Sequence, residues 1–268
     1  MTAGVLALVT GASRGLGREI AIGLAKSGHK VIAVARSKSA LESLSKEYAG
    51  SIFAYEADVS DYTTVDKLAE QVNKDHGSVQ ILVNAAGVFG PVDLMYKTDP
   101  KQWVDTILID TIAPYFTTRA FLPGMLEKRW GRIINVSSAA ALHPPGALNS
   151  AYGTSKVALN QLTRHLAAEI SGSGVTANVI HPGDVKTEMW ADIKAKALSL
   201  GDVGKDYTAW VNWVEETGGD DPKKAMELVL EIVSPSYDAI NGRFLWIKDP
   251  LQAPITSWDD PADERPWG

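Results

Sequence analysis

Tyr152 and Lys156 stand four residues apart in Tyr152-Gly153-Thr154-Ser155-Lys156, a spacing that puts both side chains on one face of a helix. A free phenol, with a pKa of about 10, is a poor base at neutral pH. An ammonium one helical turn away favours the phenolate and lowers that pKa, so such a pair can pass a proton to or from an oxygen. The spacing also arises by chance in many helices. Its meaning depends on what else the chain carries.

A second group of residues suits phosphate chemistry. Thr10-Gly11-Ala12-Ser13-Arg14-Gly15-Leu16-Gly17 follows the apolar run Val5 to Val9 and leads into a segment with Arg18, Glu19, Ile20 and Leu24 at helical spacing. Glycines let the backbone turn sharply and approach a pyrophosphate, whose charge is met by amide groups at the positive end of the helix. The next apolar run, Val31 to Ala35, ends in Ala35-Arg36. A ribose 2′-hydroxyl is usually held there by an acid, whereas a 2′-phosphate needs a cation. Arg36 and Arg14 can supply that cation, and no acid stands at Ala35 to repel it. The pattern favours NADP(H) over NAD(H).

These residues must be held by a sheet. Strand-length apolar runs recur at Val5 to Val9, Val31 to Ala35, Ile81 to Val83, Ile133 to Val136, Val175 to Ile180 and Phe244 to Ile247. Most are continuous and not alternating, as expected of strands covered on both faces. Segments with helical spacing lie between them, among them Leu41 with Leu44, Val65 with Leu68 and Val72, and Val157 with Leu162 and Leu166. The alternation predicts an α/β fold, a Rossmann-type doubly wound parallel sheet of about seven strands with right-handed crossovers. One domain over residues 1–268 accounts for the chain. Residues 188–220 form an insertion with no evident strand, in which Trp210, Trp213, Val214 and Thr217 share a helical face. A last helix is expected from about Lys223 to Val233, and residues 249–268, with Trp258 and Trp267, are expected to form an extended arm.

Composition narrows the classes. The chain has 268 residues, 45% of them hydrophobic, enough for a sizeable core. A formal net charge of -6 argues against nucleic acid as a partner. With no cysteine there is no disulfide scaffold, thiolate metal site or thiol nucleophile. The first residues lack a basic run before a short apolar stretch, and no apolar run approaches membrane-spanning length. A cytoplasmic protein without membrane partners is expected. The five histidines, at 29, 76, 143, 165 and 181, show no i, i+4 pairing, so no metal is expected. Neither Ser137 nor Ser138 has the glycines of a hydrolase nucleophile elbow.

The glycine loop, Asp58-Val59, Asn84-Ala85-Ala86-Gly87, Ile134-Asn135-Val136-Ser137-Ser138, Tyr152 to Lys156, and Pro182-Gly183 with Val185 and Thr187 occur in one order. As a set, from about Val5 to Thr187, they resemble the short-chain dehydrogenase/reductase family. The resemblance implies that Tyr152 is the general acid and base, that Lys156 holds the nicotinamide ribose and depresses the Tyr152 pKa, and that Ser138 hydrogen-bonds the substrate oxygen. Ser138 fits better than Ser137, although its separation of 14 from Tyr152 is one more than the family pattern and suggests a longer loop through His143, Pro144 and Pro145. Thr10, Gly11, Ser13, Arg14, Gly15, Leu16, Gly17 and Arg36 would hold the cofactor. Asp58 and Val59 would meet its adenine, Asn84, Ala85 and Gly87 would shape its floor, and Pro182, Gly183, Val185 and Thr187 would secure its carboxamide and phosphates.

One position departs from the pattern. Registering Trp103 and Thr118-Arg119-Ala120 with the family puts Asp110 where an asparagine completes a catalytic tetrad. That asparagine stabilises a helix kink and positions a water in the proton relay. A carboxylate accepts but cannot donate as an amide does, and it brings a negative charge near Lys156. The other reading is that Asp110 is an ordinary helix residue.

Phe89, Leu142, His143, Met189 and Trp190 are the expected substrate contacts, with residues 188–220 as the family's variable substrate lid. The implied reaction is reduction of a small-molecule carbonyl by NADPH, or oxidation of an alcohol in reverse. Its rivals are an NAD-linked dehydrogenase of secondary alcohols or sugars and a non-catalytic dinucleotide-binding regulator. The resemblance also implies a homodimer or homotetramer, through helices near 100 to 128 and 150 to 170.

Overall fold

Continuous apolar runs become strands here because helices cover both faces of the sheet, leaving no solvent-facing side for polar residues to occupy. The computed structural model describes residues 4–257. Its strands are β1 (Leu6–Thr10), β2 (Lys30–Ala35), β3 (Ile52–Glu56), β4 (Ile81–Asn84), β5 (Gly131–Val136), β6 (Val175–His181) and β7 (Phe244–Trp246). They form one seven-stranded sheet in the order β3-β2-β1-β4-β5-β6-β7. Every neighbouring pair is parallel, with Thr10 opposite Val34, Asn84 opposite Asn135 and His181 opposite Trp246. The doubly wound α/β fold read from the sequence is the one observed.

Alternate residues along the strands feed two cores. Ala7, Val9, Val31 and Ala33 pack with Ile20 and Leu24 of α1 (Gly15–Lys26), Leu41 and Leu44 of α2 (Lys38–Glu47), and Leu228 and Ile232 of α9 (Pro222–Ile232). On the opposite face, Leu6, Leu8, Ile32 and Val34 meet Val65 and Val72 of α3 (Tyr62–His76), Phe121 and Met125 of α5 (Ala113–Lys128), and Leu166 of α6 (Ser150–Glu169). Chain order reverses between β1 and β4, and a crevice opens there beyond the carboxyl ends of the strands.

Three elements differ from the sequence reading. β3 is not among the apolar runs; only Ile52 of its five residues is fully buried, as suits a sheet edge. Residues 188–220 are largely helical, with α7 (Glu188–Ser199) and α8 (Lys205–Thr217) packed together. The buried face of α8 takes in Val211 and Val214 with Trp210 and Trp213 half-buried, and of the expected stripe only Thr217 is exposed. Residues 251–257 have no regular structure, and Trp258 and Trp267 lie outside the described residues. No helix among the described residues is long and apolar enough to cross a membrane.

Candidate active site

The glycine loop is shaped by close backbone approach. A Cβ on Gly11, whose φ is +68°, would stand 2.8 Å from backbone atoms of Ala86, and one on Gly17 would overlap the Gly11 carbonyl. Arg14 occupies the N-cap position of α1 but provides no side-chain cap, and the space above Gly15 is open. The amides of the first helical turn are therefore not claimed by a capping side chain and present the positive end of the helix to the crevice. The Arg14 guanidinium pairs with Glu188 at the start of α7, so the loop is tied to the segment after β6.

Several expected cofactor residues act one step further back. The Thr10 hydroxyl accepts from the amides of Ala85 and Ala86, both at 3.1 Å, which locks β1 to the turn after β4. Asn84 is buried: its amide donates to Asn135 Oδ1 at 2.8 Å and its carbonyl accepts from Thr117 Oγ1 at 2.7 Å. Asn135 in turn donates to Thr163 Oγ1 at 2.8 Å. This chain of polar side chains joins α5, β4, β5 and α6 on one face of the sheet, and nothing in the sequence links its four members. Arg36 and Asp58-Val59 follow the ends of β2 and β3. Asp58 Oδ1 accepts from the amide and hydroxyl of Ser60, and Val59 is buried.

A cavity of about 920 Å³ occupies the other half of the crevice. Leu16, Ala85, Gly87, Ser138, Tyr152, Lys156, Pro182, Gly183, Val185 and Thr187 all reach its wall, so these scattered candidates converge. The Tyr152 phenol and the Ser138 hydroxyl face the same cavity. The Tyr152 ring stacks on Phe89, with centroids 4.5 Å apart. Lys156 Nζ lies 5.4 Å from the Tyr152 ring centroid and donates to the Val136 carbonyl at 3.1 Å.

The proton balance differs from the expectation of a depressed phenol. Burial raises the Tyr152 pKa above its ordinary value, Lys156 and the Ser138 hydroxyl oppose the rise, and Asp110 and Asp184 add to it. Desolvation outweighs the single cation here. The phenol is thereby held in its protonated form.

Asp110 lies in a π-helical turn, Leu108–Ile112, between α4 (Pro100–Ile107) and α5. Such a turn shifts the helix phase and often marks a functional position. Asp110 Oδ1 accepts from the Val88 amide at 2.9 Å, and Oδ2 accepts from Ser155 Oγ at 3.1 Å. Thr111 Oγ1 ties the same turn to α6 through the Ser155 carbonyl at 2.8 Å. A Cβ on Gly87 would meet Asp110 Oδ1 at 3.3 Å, so this glycine lets the acid sit under the loop. Asp110 is thus packed against Lys156 and is no ordinary helix residue.

Of the expected substrate contacts, Phe89, His143, Met189 and Trp190 line the cavity. Leu142 does not: the 3-10 turn Ala139–Ala141 puts the alanines and His143 on the wall and leaves Leu142 off it. Tyr207, His181, Asp184 and Trp210 also line the cavity and were not among the expected substrate contacts. Tyr207 meets Phe89 edge-on, with centroids 6.0 Å apart. His181 Nδ1 accepts from the Ala139 amide at 3.1 Å, which anchors the turn that follows Ser138 and leaves the proton on Nε2. Burial pushes the His181 pKa down to about 4, so the ring is neutral. An acid and a histidine flanking Pro182-Gly183 were the available cue. Gln252, at the start of the arm, also lines the cavity and stands 2.8 Å from His143 Nε2, so the described part of the arm returns over its own pocket.

Comparison with known proteins identifies the family. The sequence profile of the short chain dehydrogenase family matches residues 5–198. A 3-oxoacyl-[acyl-carrier-protein] reductase, FabG of Haemophilus influenzae, is 34% identical over 187 residues, covering 69% of this chain and 76% of that protein. FabG of Vibrio harveyi is 31% identical over 245 residues, 91% of this chain and 96% of that one. A crystal structure of a variant actinorhodin polyketide ketoreductase with NADPH superposes with a TM-score of 0.82 at 27% identity, covering 91% of this chain and 95% of that one. The chain belongs to the short-chain dehydrogenase family, whose members are oxidoreductases that use a nicotinamide cofactor.

Proposed function

We propose that this protein is an NADPH-dependent carbonyl reductase, acting on a ketone or aldehyde and running in reverse as an alcohol dehydrogenase. The observation that carries the reading is that Tyr152, Ser138 and Lys156 share the wall of one largely apolar cavity, with Lys156 Nζ 5.4 Å from the Tyr152 ring centroid. The residues present fit a phosphorylated dinucleotide. The crowded Gly11 and Gly17 leave a backbone cradle under open space, Ala35 brings no acid, and Arg36 brings a cation to the end of β2. NADPH, when bound, supplies the hydride.

The chain's own residues handle the oxygen. Ser138 orients the substrate carbonyl by donating to it, and Tyr152 gives that oxygen its proton as negative charge develops there. Lys156, fixed by Val136 and Asp110, provides the nearby positive charge that eases the loss of the Tyr152 proton. Residues 188–220 serve as the lid, with Met189 and Trp190 over the pocket and Arg14 to Glu188 as its tie to the glycine loop. The exposed Val104, Tyr115 and Val157 on α4, α5 and α6 support assembly into a homodimer or homotetramer.

The test is Tyr152→Phe assayed with a panel of ketones and aldehydes by NADPH consumption. The variant keeps the ring that stacks on Phe89, and its kcat falls by about a thousandfold while NADPH affinity is retained. Undiminished turnover in that variant overturns the reading.

A further inference from the structure

Asp184 is a buried acid that the proposed reaction does not use. It follows Pro182-Gly183, is 9% exposed and lines the same cavity as Tyr152. Its backbone is clamped at both groups: the Asp184 amide donates to Asp220 Oδ2 at 3.0 Å, and its carbonyl accepts from the Asp220 amide at 2.9 Å. Lys224 holds Asp220 from behind at 3.1 Å. The Asp184 carboxyl is fixed as well, because Oδ1 accepts from the Trp210 indole N–H at 3.0 Å. Oδ2 is buried and has no hydrogen-bond partner in the protein. An acceptor left in this state is destabilising relative to one that is paired. A fold does not place such a group on a rigid support in an apolar cavity for stability.

We propose that Asp184 determines substrate specificity by accepting a hydrogen bond from a hydroxyl group that the substrate carries in addition to the reacting carbonyl; this rests on the carbonyl-reductase reading. Two further polar atoms on residues lining the cavity, His181 Nε2 and Trp190 Nε1, are also buried without partners. Both are donors, His181 because its Nδ1 already accepts from Ala139. A hydroxyl can donate to Asp184 and accept from an N–H, whereas an ammonium has no lone pair to offer. The substrate class is therefore a hydroxy-ketone or hydroxy-aldehyde whose remaining surface is apolar. Phe89, Tyr207 and Trp210 provide the matching walls. Asp184 and Tyr152 line the same cavity, so the hydroxyl and the reacting carbonyl belong to one small molecule.

The experiment compares pairs of carbonyl substrates that differ only by a hydroxyl or a methyl at one position, in wild type, Asp184→Leu and Asp184→Asn. The readout is the ratio of kcat/KM within each pair, which general damage to the enzyme does not move. Wild type favours the hydroxyl member of the best pair by about tenfold or more. In D184L the ratio falls to about one or inverts. In D184N the Trp210 indole claims the amide carbonyl and leaves an N–H toward the cavity, from which a hydroxyl accepts, so part of the preference survives. Retention of the full ratio in D184L, or no preference in any wild-type pair, overturns the proposal. An amine-bearing substrate that outperforms its hydroxyl counterpart and loses everything in D184N overturns the choice of hydroxyl. If no carbonyl is turned over, the reaction assignment fails; calorimetric titration of the same pairs then tests Asp184 separately, and equal affinity for both members in wild type overturns the proposal.

Discussion

Asp110 Oδ2 lies 3.5 Å from Lys156 Nζ, with both side chains shielded from water. A carboxylate at this point does more than fill the place of an amide. Burial pushes the Asp110 carboxyl up, and Lys156 with the donors Val88 and Ser155 holds it down. Its charge reaches Tyr152, where it opposes the acidifying influence of Lys156. Asp110 therefore opposes ionisation of the phenol.

Replacing Asp110 by Asn removes that charge and keeps an acceptor for the Val88 amide. The Tyr152 pKa falls, and the rising limb of the pH profile for alcohol oxidation moves to lower pH by about one unit. Carbonyl reduction at neutral pH changes by only a few-fold. Profiles of kcat in the oxidative direction for the two proteins check this, and a limb that stays in place or moves upward contradicts it.

Arg36 offers a test of cofactor choice. It follows β2 at the end where the second ribose of a dinucleotide falls, and Ala35 before it carries no charge. Arg36→Ala loses a charge-assisted contact to the 2′-phosphate, and kcat/KM for NADPH drops by about tenfold or more while the value for NADH is little altered. An equal loss with both cofactors shows that Arg36 does not read the phosphate. Arg14 is the less clean variant, because it also holds Glu188.

The parts of this architecture that were legible in the sequence are those in which one stretch of chain contains its own reason. β1, β2, β4, β5 and β6 are apolar because both faces are covered, and the glycine loop is glycine because its backbone must pass close to itself. The edge strand β3 was less legible, since Phe53, Ala54 and Tyr55 are only half-buried and Glu56 is exposed. α7 was hidden by its thin buried face, Ile193 with Ala197, set among charged residues, whereas α8 showed only as the helical face of its second half. Contacts between distant segments left no local trace. Thr117, Asn84, Asn135 and Thr163 come from four elements, and Asp184 finds Trp210 only once α8 returns to the pocket. The direction of the Tyr152 shift was missed for the same reason, because spacing reveals Lys156 but not the burial that outweighs it.

His181 links acid stability to the site. Its folded-state pKa of about 4 lies below the ordinary value of 6.5, so the folded protein resists protonation that the unfolded chain accepts. The neutral ring thus contributes stability that is fully present above about pH 6.5 and is lost as pH falls toward 4, amounting to about 3 kcal/mol over that window. The raised pKa values of Asp110 and Asp184 act in the opposite sense as pH falls, so the comparison must be between variants. His181→Gln keeps an acceptor for the Ala139 amide but cannot ionise. Denaturant midpoints measured at neutral and acidic pH show a smaller acid loss in the variant than in wild type; equal losses remove His181 from the account.

Gly17 and Gly15 separate two reasons for a glycine in the same loop. A Cβ on Gly17 would drive into the Gly11 carbonyl, backbone that cannot swing aside, so Gly17→Ala must displace the turn that carries the first-turn amides. Overpacking of this kind costs about 1–3 kcal/mol of stability, and NADPH affinity falls by about tenfold or more because the displaced amides no longer converge on one phosphate. Gly15 has a φ of +54° but nothing within 4 Å of a Cβ. Gly15→Ala therefore meets only the conformational penalty of the left-handed region, about 1 kcal/mol, plus whatever the bound pyrophosphate itself would feel. Calorimetric titration with NADPH, together with thermal melts of the ligand-free proteins, distinguishes the cases. Gly17→Ala loses both stability and affinity, whereas Gly15→Ala melts near wild type, and any loss of affinity in it measures how closely the cofactor approaches that backbone. If Gly17→Ala binds NADPH as tightly as wild type, the first turn of α1 is not where the pyrophosphate sits.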